Sequence, residues 1–147
     1  MAFAALITWF AAVLAGLYML TVWLIENDVT ARRVAPSQLP VPVIFTHLVL
    51  AITGLALWAA YLILDRGALA WAAFGVLALI VLLGLTMFAR WIPVYRVPVQ
   101  PGSLVPDRPL GVPAEWNFPI VVVAGHGLLA GITLVLVLLT ALGVGAS

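Results

Sequence analysis

The chain contains no cysteine. Without a thiol it cannot form a disulfide, a thiolate metal site, an iron–sulfur cluster or the covalent link of a c-type haem. Lysine is absent too, so all six basic residues are arginine. No set of residues has the spacing of a hydrolase or transferase site.

Charged residues are also scarce. They make up 7% of the chain, against about 25% in a soluble domain. Hydrophobic residues account for 66%, and the mean hydropathy is +1.28. A net charge of +1 gives no basis for binding nucleic acid. The composition predicts a single integral membrane domain over residues 1–147, embedded in a lipid bilayer, which we expect to be a prokaryotic plasma membrane.

Four apolar runs lack any aspartate, glutamate, lysine or arginine, and each is about the 20 residues that a helix needs to cross a bilayer. The runs cover roughly residues 3–25, 41–64, 68–89 and 118–144. They lack the alternation of barrel strands. The first run has no basic segment before it and no cleavage site after it, so we interpret it as a retained helix. The sequence predicts an all-α, up-down-up-down bundle of four transmembrane helices.

The connections between the runs differ in length. Asp65, Arg66 and Gly67 form a tight turn, which predicts that the second and third helices are antiparallel neighbours. Residues 26–40 form a polar loop. Residues 90–117 form a long loop with six prolines, which argue against a long helix there. Three aromatic residues at the ends of this loop are expected to be interfacial anchors: Trp91, Tyr95 and Trp116.

Arginine is distributed unevenly between the two ends of the predicted bundle. The end with the two longer loops carries Arg32, Arg33, Arg90, Arg96 and Arg108, whereas the other end carries Arg66 alone. Positively charged loops remain in the cytoplasm. The sequence therefore predicts that loops 26–40 and 90–117 are cytoplasmic and that both termini lie outside.

His47 and His126 are the only histidines, and each lies inside an apolar run. Ionisable residues within a membrane span are costly and mark candidate functional sites. Each follows a proline, Pro40 or Pro119, by seven residues, which corresponds to a depth of about 10 Å in a helix. The second and fourth helices run in the same direction. The two imidazoles can therefore face each other at one depth across the bundle, as the two axial ligands of a haem do.

Small residues accompany both histidines at positions that could admit a flat macrocycle. They are Ala51 and Gly54 after His47, and Gly125, Gly127 and Ala130 around His126. Anionic haem propionates would pair with arginines at the near surface. The candidates are Arg32, Arg33, Arg90 and Arg96.

A four-helix bundle with one histidine on each of two parallel helices resembles the membrane-anchored b-type cytochromes. The resemblance lies in the architecture and in His47 and His126, and it covers the apolar bundle. It implies haem b between the helices and electron transfer with a quinone or a partner membrane subunit. A single histidine pair leaves room for one such haem.

Other interpretations stay open. Met87, near the end of the third run, is an alternative iron ligand, and with Met19 it could join the histidines in a copper site. The histidines could also be structural. The chain would then be an accessory subunit of a larger membrane complex, docking through loop 90–117, and a homo-oligomer is a further possibility.

The remaining glycines and tryptophans are assigned to packing and to the lipid surface. Ala12, Ala15 and Gly16 in the first run, and Gly75 and Gly84 in the third, permit close helix approach. Trp9, Trp23 and Trp71 are expected to face lipid or the interface.

Overall fold

The computed structural model describes residues 1–26, 37–96 and 113–144. Its long helices are α1 (Ala2–Glu26), α2 (Val41–Leu64), α3 (Gly67–Tyr95) and α4 (Ile120–Ala141), and a 3₁₀ helix spans Ala114–Asn117. All four long helices are long and apolar enough to cross a membrane. The prediction of an all-α chain with four such helices is confirmed.

Side-chain contacts fix the relative directions of the helices. Trp58 Nε1 donates to the carbonyl of Ala2 over 3.2 Å, so the far end of α2 lies beside the start of α1. Thr133 Oγ1 donates to Thr8 Oγ1 over 2.8 Å, and His126, earlier in α4, bonds to Ala12, later in α1, so the two helices are antiparallel. Residues 65 and 66 alone join α2 to α3. Neighbouring helices therefore alternate in direction, with a turn end at residues 65–66 and a loop end at residues 37–40 and 113–119.

Both α2 and α4 begin directly after a proline. Pro40 and Pro119 have extended backbones, with φ of −67° and −63°. Proline is well suited to this position because its fixed φ and missing N–H cost a helix start nothing. At the other end of α2, Asp65 adopts a left-handed conformation with φ of 47°, which reverses the chain into α3.

Two clusters of buried side chains hold the bundle together. The cluster near the turn end includes Trp9, Trp58, Leu77 and Val137. The cluster at the loop end is made of Trp23, Leu39, Trp91, Ala114 and Phe118. Burying side chains of this size contributes about 1.5–3 kcal/mol each in water, whereas in lipid the gain comes from packing.

The prediction that most of the tryptophans face outward is wrong. Trp9, Trp23 and Trp91 are all buried, and only Trp71, at 47% exposure, lies on the surface as expected. The indole N–H groups explain part of the difference. Trp23 donates to Ser37 Oγ over 3.0 Å, and Trp91 donates to the carbonyl of Glu115 over 3.0 Å. Trp116 is half-buried, and the side chain of Tyr95 lies outside the described residues.

Helix α3 continues past the predicted boundary at residue 89, to Tyr95, and therefore contains Pro93. The proline lies in the last turn, where its ring costs one hydrogen bond and where the helix ends anyway. The N–H of Arg96 closes the end by bonding to the carbonyls of Ile92 and Pro93. The extension brings Trp91 into the loop-end cluster.

A buried carboxylate joins the two segments at the loop end. Glu115 is 0% exposed. Its carboxylate accepts hydrogen bonds from the hydroxyl of Ser37, over 3.1 Å, and from the backbone N–H of Gln38. Because Ser37 precedes α2 and Glu115 precedes α4, these bonds tie the starts of the two histidine-bearing helices together. We call this group the loop-end clasp.

Candidate functional site

A cavity of about 550 Å³ lies inside the bundle, between the turn-end cluster and the loop end. All four helices contribute to its wall, and both histidines line it. This volume lies within the roughly 300–1,000 Å³ typical of small-molecule and cofactor sites. Among the described residues, its lining contains no aspartate, glutamate, lysine or arginine. The cavity therefore suits a largely apolar occupant that the two imidazoles can bind.

His47 and His126 meet across this cavity. Their ring centres are 6.2 Å apart and their planes are inclined by 52°, so the rings face each other without stacking. The equal depth of the two residues, which the sequence predicts, brings the rings together from α2 and α4. The pair forms the polar centre of an otherwise apolar space.

Helix α1 positions the His126 imidazole. Its Nδ1 lies 2.9 Å from the carbonyl oxygen of Ala12, and a carbonyl can only accept, so Nδ1 carries the proton. One turn further along α1, Gly16 leaves room for the ring, since a Cβ there would lie 3.2 Å from His126 Cε1. The ring is thus held against the α1 backbone with its Nε2 unprotonated and available as a ligand.

Helix α3 packs against the His47 imidazole as α1 packs against the His126 imidazole. The ring lies against the backbone of Ile80. A Cβ on Gly84 would lie 3.4 Å from His47 Cε1. However, the contact with Ile80 does not meet hydrogen-bond geometry, and His47 Nδ1 is buried without a partner among the described residues.

The separation of the two imidazoles is compatible with one metal held between them. An imidazole nitrogen lies about 2 Å from a metal that it ligates, so two rings that share one metal have centres about 6 Å apart. The observed separation of 6.2 Å agrees with this value. Metal-ligating histidines usually donate their other N–H to a carbonyl, as His126 does here.

Three of the predicted small residues line the cavity, namely Ala51, Gly127 and Ala130. The other two lie elsewhere. Gly54 packs against Trp9, whose ring would come within 2.7 Å of an added Cβ, and Gly125 is not among the lining residues. Residues on the same helix face as a histidine therefore do not all reach its cavity.

Of the predicted arginines, Arg90 and Arg96 lie within the described residues, and neither lines the cavity. Arg90 is exposed, and its guanidinium donates to the carbonyl of Gln38 over 3.4 Å. Arg96 is exposed at the end of α3. Arg32 and Arg33 lie outside the described residues, as does most of loop 90–117, through which an accessory subunit would dock.

Met19 and Met87 both line the cavity, on the loop-end side of the histidines. No group of three or more histidine, cysteine, aspartate or glutamate side chains that could hold a metal ion occurs among the described residues. A protein-only metal centre would therefore need the methionines, whereas a haem needs only the two imidazoles.

Gly16 and Gly84, which the sequence predicts only to permit helix packing, line the cavity beside the imidazoles. Their role was missed because uniformly apolar helices give almost no indication of which face points inward. A signal was nevertheless present. Both glycines begin the same pattern, Gly-Leu-x-Met-x-x-x-Trp, at residues 16–23 and 84–91.

Comparison of the chain with protein-family models, with curated proteins and with solved structures gives no match.

Proposed function

We propose that the protein is an integral membrane cytochrome of the b type, with one haem held by His47 and His126, and that it transfers electrons. The observation that carries the proposal is the pair of imidazoles, 6.2 Å apart across an apolar cavity of about 550 Å³. A haem ligated by two histidines supplies one-electron transfer through its iron. We expect its electron partner to be a quinone or another membrane subunit.

The chain itself has three tasks in this proposal. His47 and His126, which both line the cavity, would be the residues that hold the haem. The carbonyl of Ala12 holds the proton of His126 on Nδ1, so that Nε2 stays a ligand. Apart from the two histidines, the largely apolar wall that the structure describes offers no acid or base to a bound substrate, which would favour outer-sphere electron transfer over substrate chemistry.

The visible spectrum of the detergent-purified protein, oxidised and then reduced with dithionite, tests the proposal. We expect a sharp α band on reduction, which indicates six-coordinate iron. His47→Ala and His126→Ala should each abolish this spectrum while the protein still inserts. Thr53→Ala is the matched control, because Thr53 is an exposed polar residue of α2 that bonds only to its own helix. A colourless protein after expression with ample haem, or full haem in either histidine variant, would contradict the proposal.

A further inference from the structure

The two halves of the chain carry the same sequence pattern. Residues 16–23 of α1 and 84–91 of α3 share Gly-Leu-x-Met-x-x-x-Trp. Residues 40–51 of α2 and 119–130 of α4 share Pro-x-x-Val-x-x-x-His-x-x-Leu-Ala. The chain has three methionines and two histidines, and all of them except Met1 fall on these patterns. Apolar composition alone would not place such rare residues at matching positions.

When the two halves are aligned on these patterns, buried positions outside the patterns also correspond. The alignment pairs Ala5 with Ala73, Trp9 with Leu77, Trp58 with Val137, and Leu39 with Phe118, and all eight side chains are buried. Hence the agreement between the halves extends along the whole bundle, from the turn-end cluster to the loop-end cluster.

Contacts between helices follow the correspondence as well. Thr8 of α1 touches Thr133 of α4 through a 2.8 Å hydrogen bond. The corresponding positions are Val76 of α3 and Gly54 of α2, and a Cβ on Gly54 would lie 3.2 Å from Val76 Cγ1. The packing of α1 on α4 thus repeats the packing of α3 on α2. Two parallel repeats arranged in this way are related by a twofold axis along the bundle.

The histidine site lies on this axis and uses both repeats crosswise. His126, in the second repeat, packs against Ala12 and Gly16 of the first. His47, in the first repeat, packs against Ile80 and Gly84 of the second. The histidine of each repeat packs against a helix of the other repeat and not of its own. The site is therefore incomplete unless both repeats are present.

We propose that the chain is a tandem duplication of a two-helix half-site, and that each repeat positions the ligand histidine of the other. Gly16 and Gly84 are the positioning residues, because a Cβ there would lie 3.2 Å from the ring of His126 and 3.4 Å from that of His47, so that a side chain larger than alanine would reach the imidazole opposite. The ligand binds on the twofold axis between two matching imidazoles. The identity of that ligand as haem rests on the proposed function, whereas the crosswise positioning does not.

Nuclear magnetic resonance of the full-length protein without haem tests the positioning directly. The chain has two histidines, so labelling histidine with ¹⁵N gives two imidazoles, and His47→Gln and His126→Gln assign them. We expect Gly16→Val to shift the His126 signals and leave those of His47, and Gly84→Val to do the reverse. Gly75→Val is the matched control in α3, since nothing lies within 4 Å of a Cβ at Gly75. It should shift neither histidine.

Gly16→Ala and Gly84→Ala replace the valine variants if those do not fold, with smaller shifts of the same histidines. A shift of the histidine in the same repeat, or no shift in either, would overturn the inference.

The test of haem binding is separate from the resonance test. If the wild-type protein binds haem, Gly16→Val and Gly84→Val should each weaken it at least about tenfold, and Gly75→Val should not. If the wild-type protein binds none while the crosswise shifts appear, the proposed function fails and the duplicated half-site stands.

Discussion

At the scale of single residues, the histidine pair was predictable and its surroundings were not. His47 and His126 stand out because the four apolar runs contain no aspartate, glutamate, lysine or arginine and because each histidine follows a proline by the same interval. Gly16 and Gly84 do not stand out, since small residues are common wherever membrane helices pack. Only the contacts with the imidazole rings distinguish them from Gly75, which faces open space.

Glu115 is a second residue whose role the sequence does not reveal. A glutamate in a proline-rich loop is normally solvated, yet this side chain is 0% exposed and accepts bonds from Ser37 and Gln38. Here the 3₁₀ turn of Ala114–Asn117 and its packing against Trp91 decide the burial. Apart from the 3₁₀ turn itself, these contacts join residues that are far apart in the sequence, so the sequence does not reveal them.

We expect Glu115→Ala to destabilise the protein by about 1–3 kcal/mol, because the hydroxyl of Ser37 and the N–H of Gln38 would lose their acceptor. Glu115→Gln retains one acceptor oxygen and should cost less. Thermal unfolding in detergent measures both, and Thr53→Ala, at an exposed position of α2 outside the clasp, serves as the control. Equal midpoints for Glu115→Ala and the wild type would show that the clasp contributes nothing to stability.

At the scale of helices, the sequence predicts well that the four long helices exist and roughly where each begins and ends. Long apolar runs bounded by charge or proline become helices because lipid leaves the backbone no other partner. The predicted bounds are wrong at the loop end, beyond the apolar runs. Helix α3 continues to Tyr95 through Pro93, and the loop before α4 contains a 3₁₀ turn. Both features lie at the loop end, where tertiary contacts rather than lipid determine the backbone.

The twofold relation between the helices predicts the effect of changing their order. Because two residues join α2 to α3, the equivalent gap between the end of α4 and the start of α1 should also be short. A circular permutant that starts at Gly67, ends at Arg66 and joins residue 147 to Met1 through a few glycines should therefore fold. Its histidine signals and thermal midpoint should match those of the wild type.

A permutant opened within α2, between Ala51 and Ile52, is the control and should not fold, since it breaks a membrane-length helix. Aggregation of the first permutant under conditions in which the wild-type protein is monodisperse would contradict the symmetric arrangement.

At the scale of the whole molecule, we propose that the bundle spans the membrane with the loop end in the cytoplasm. The support is the arginine excess at that end, including the exposed Arg90 and Arg96. The absence of cysteine gives a clean background for labelling. In intact cells, a membrane-impermeant maleimide should label Ser147→Cys and should label Ser103→Cys only after permeabilisation. The reverse pattern would invert the topology.

The uncharged wall of the cavity has a consequence for energy as well as for shape. An ion placed among apolar side chains loses its hydration, and the described lining offers no opposite charge in return. The cavity therefore favours whichever state of its occupant carries the smaller net charge. If the proposed haem binds here, the apolar wall would favour its reduced state, in which the added electron cancels positive charge at the iron, and would raise the midpoint potential.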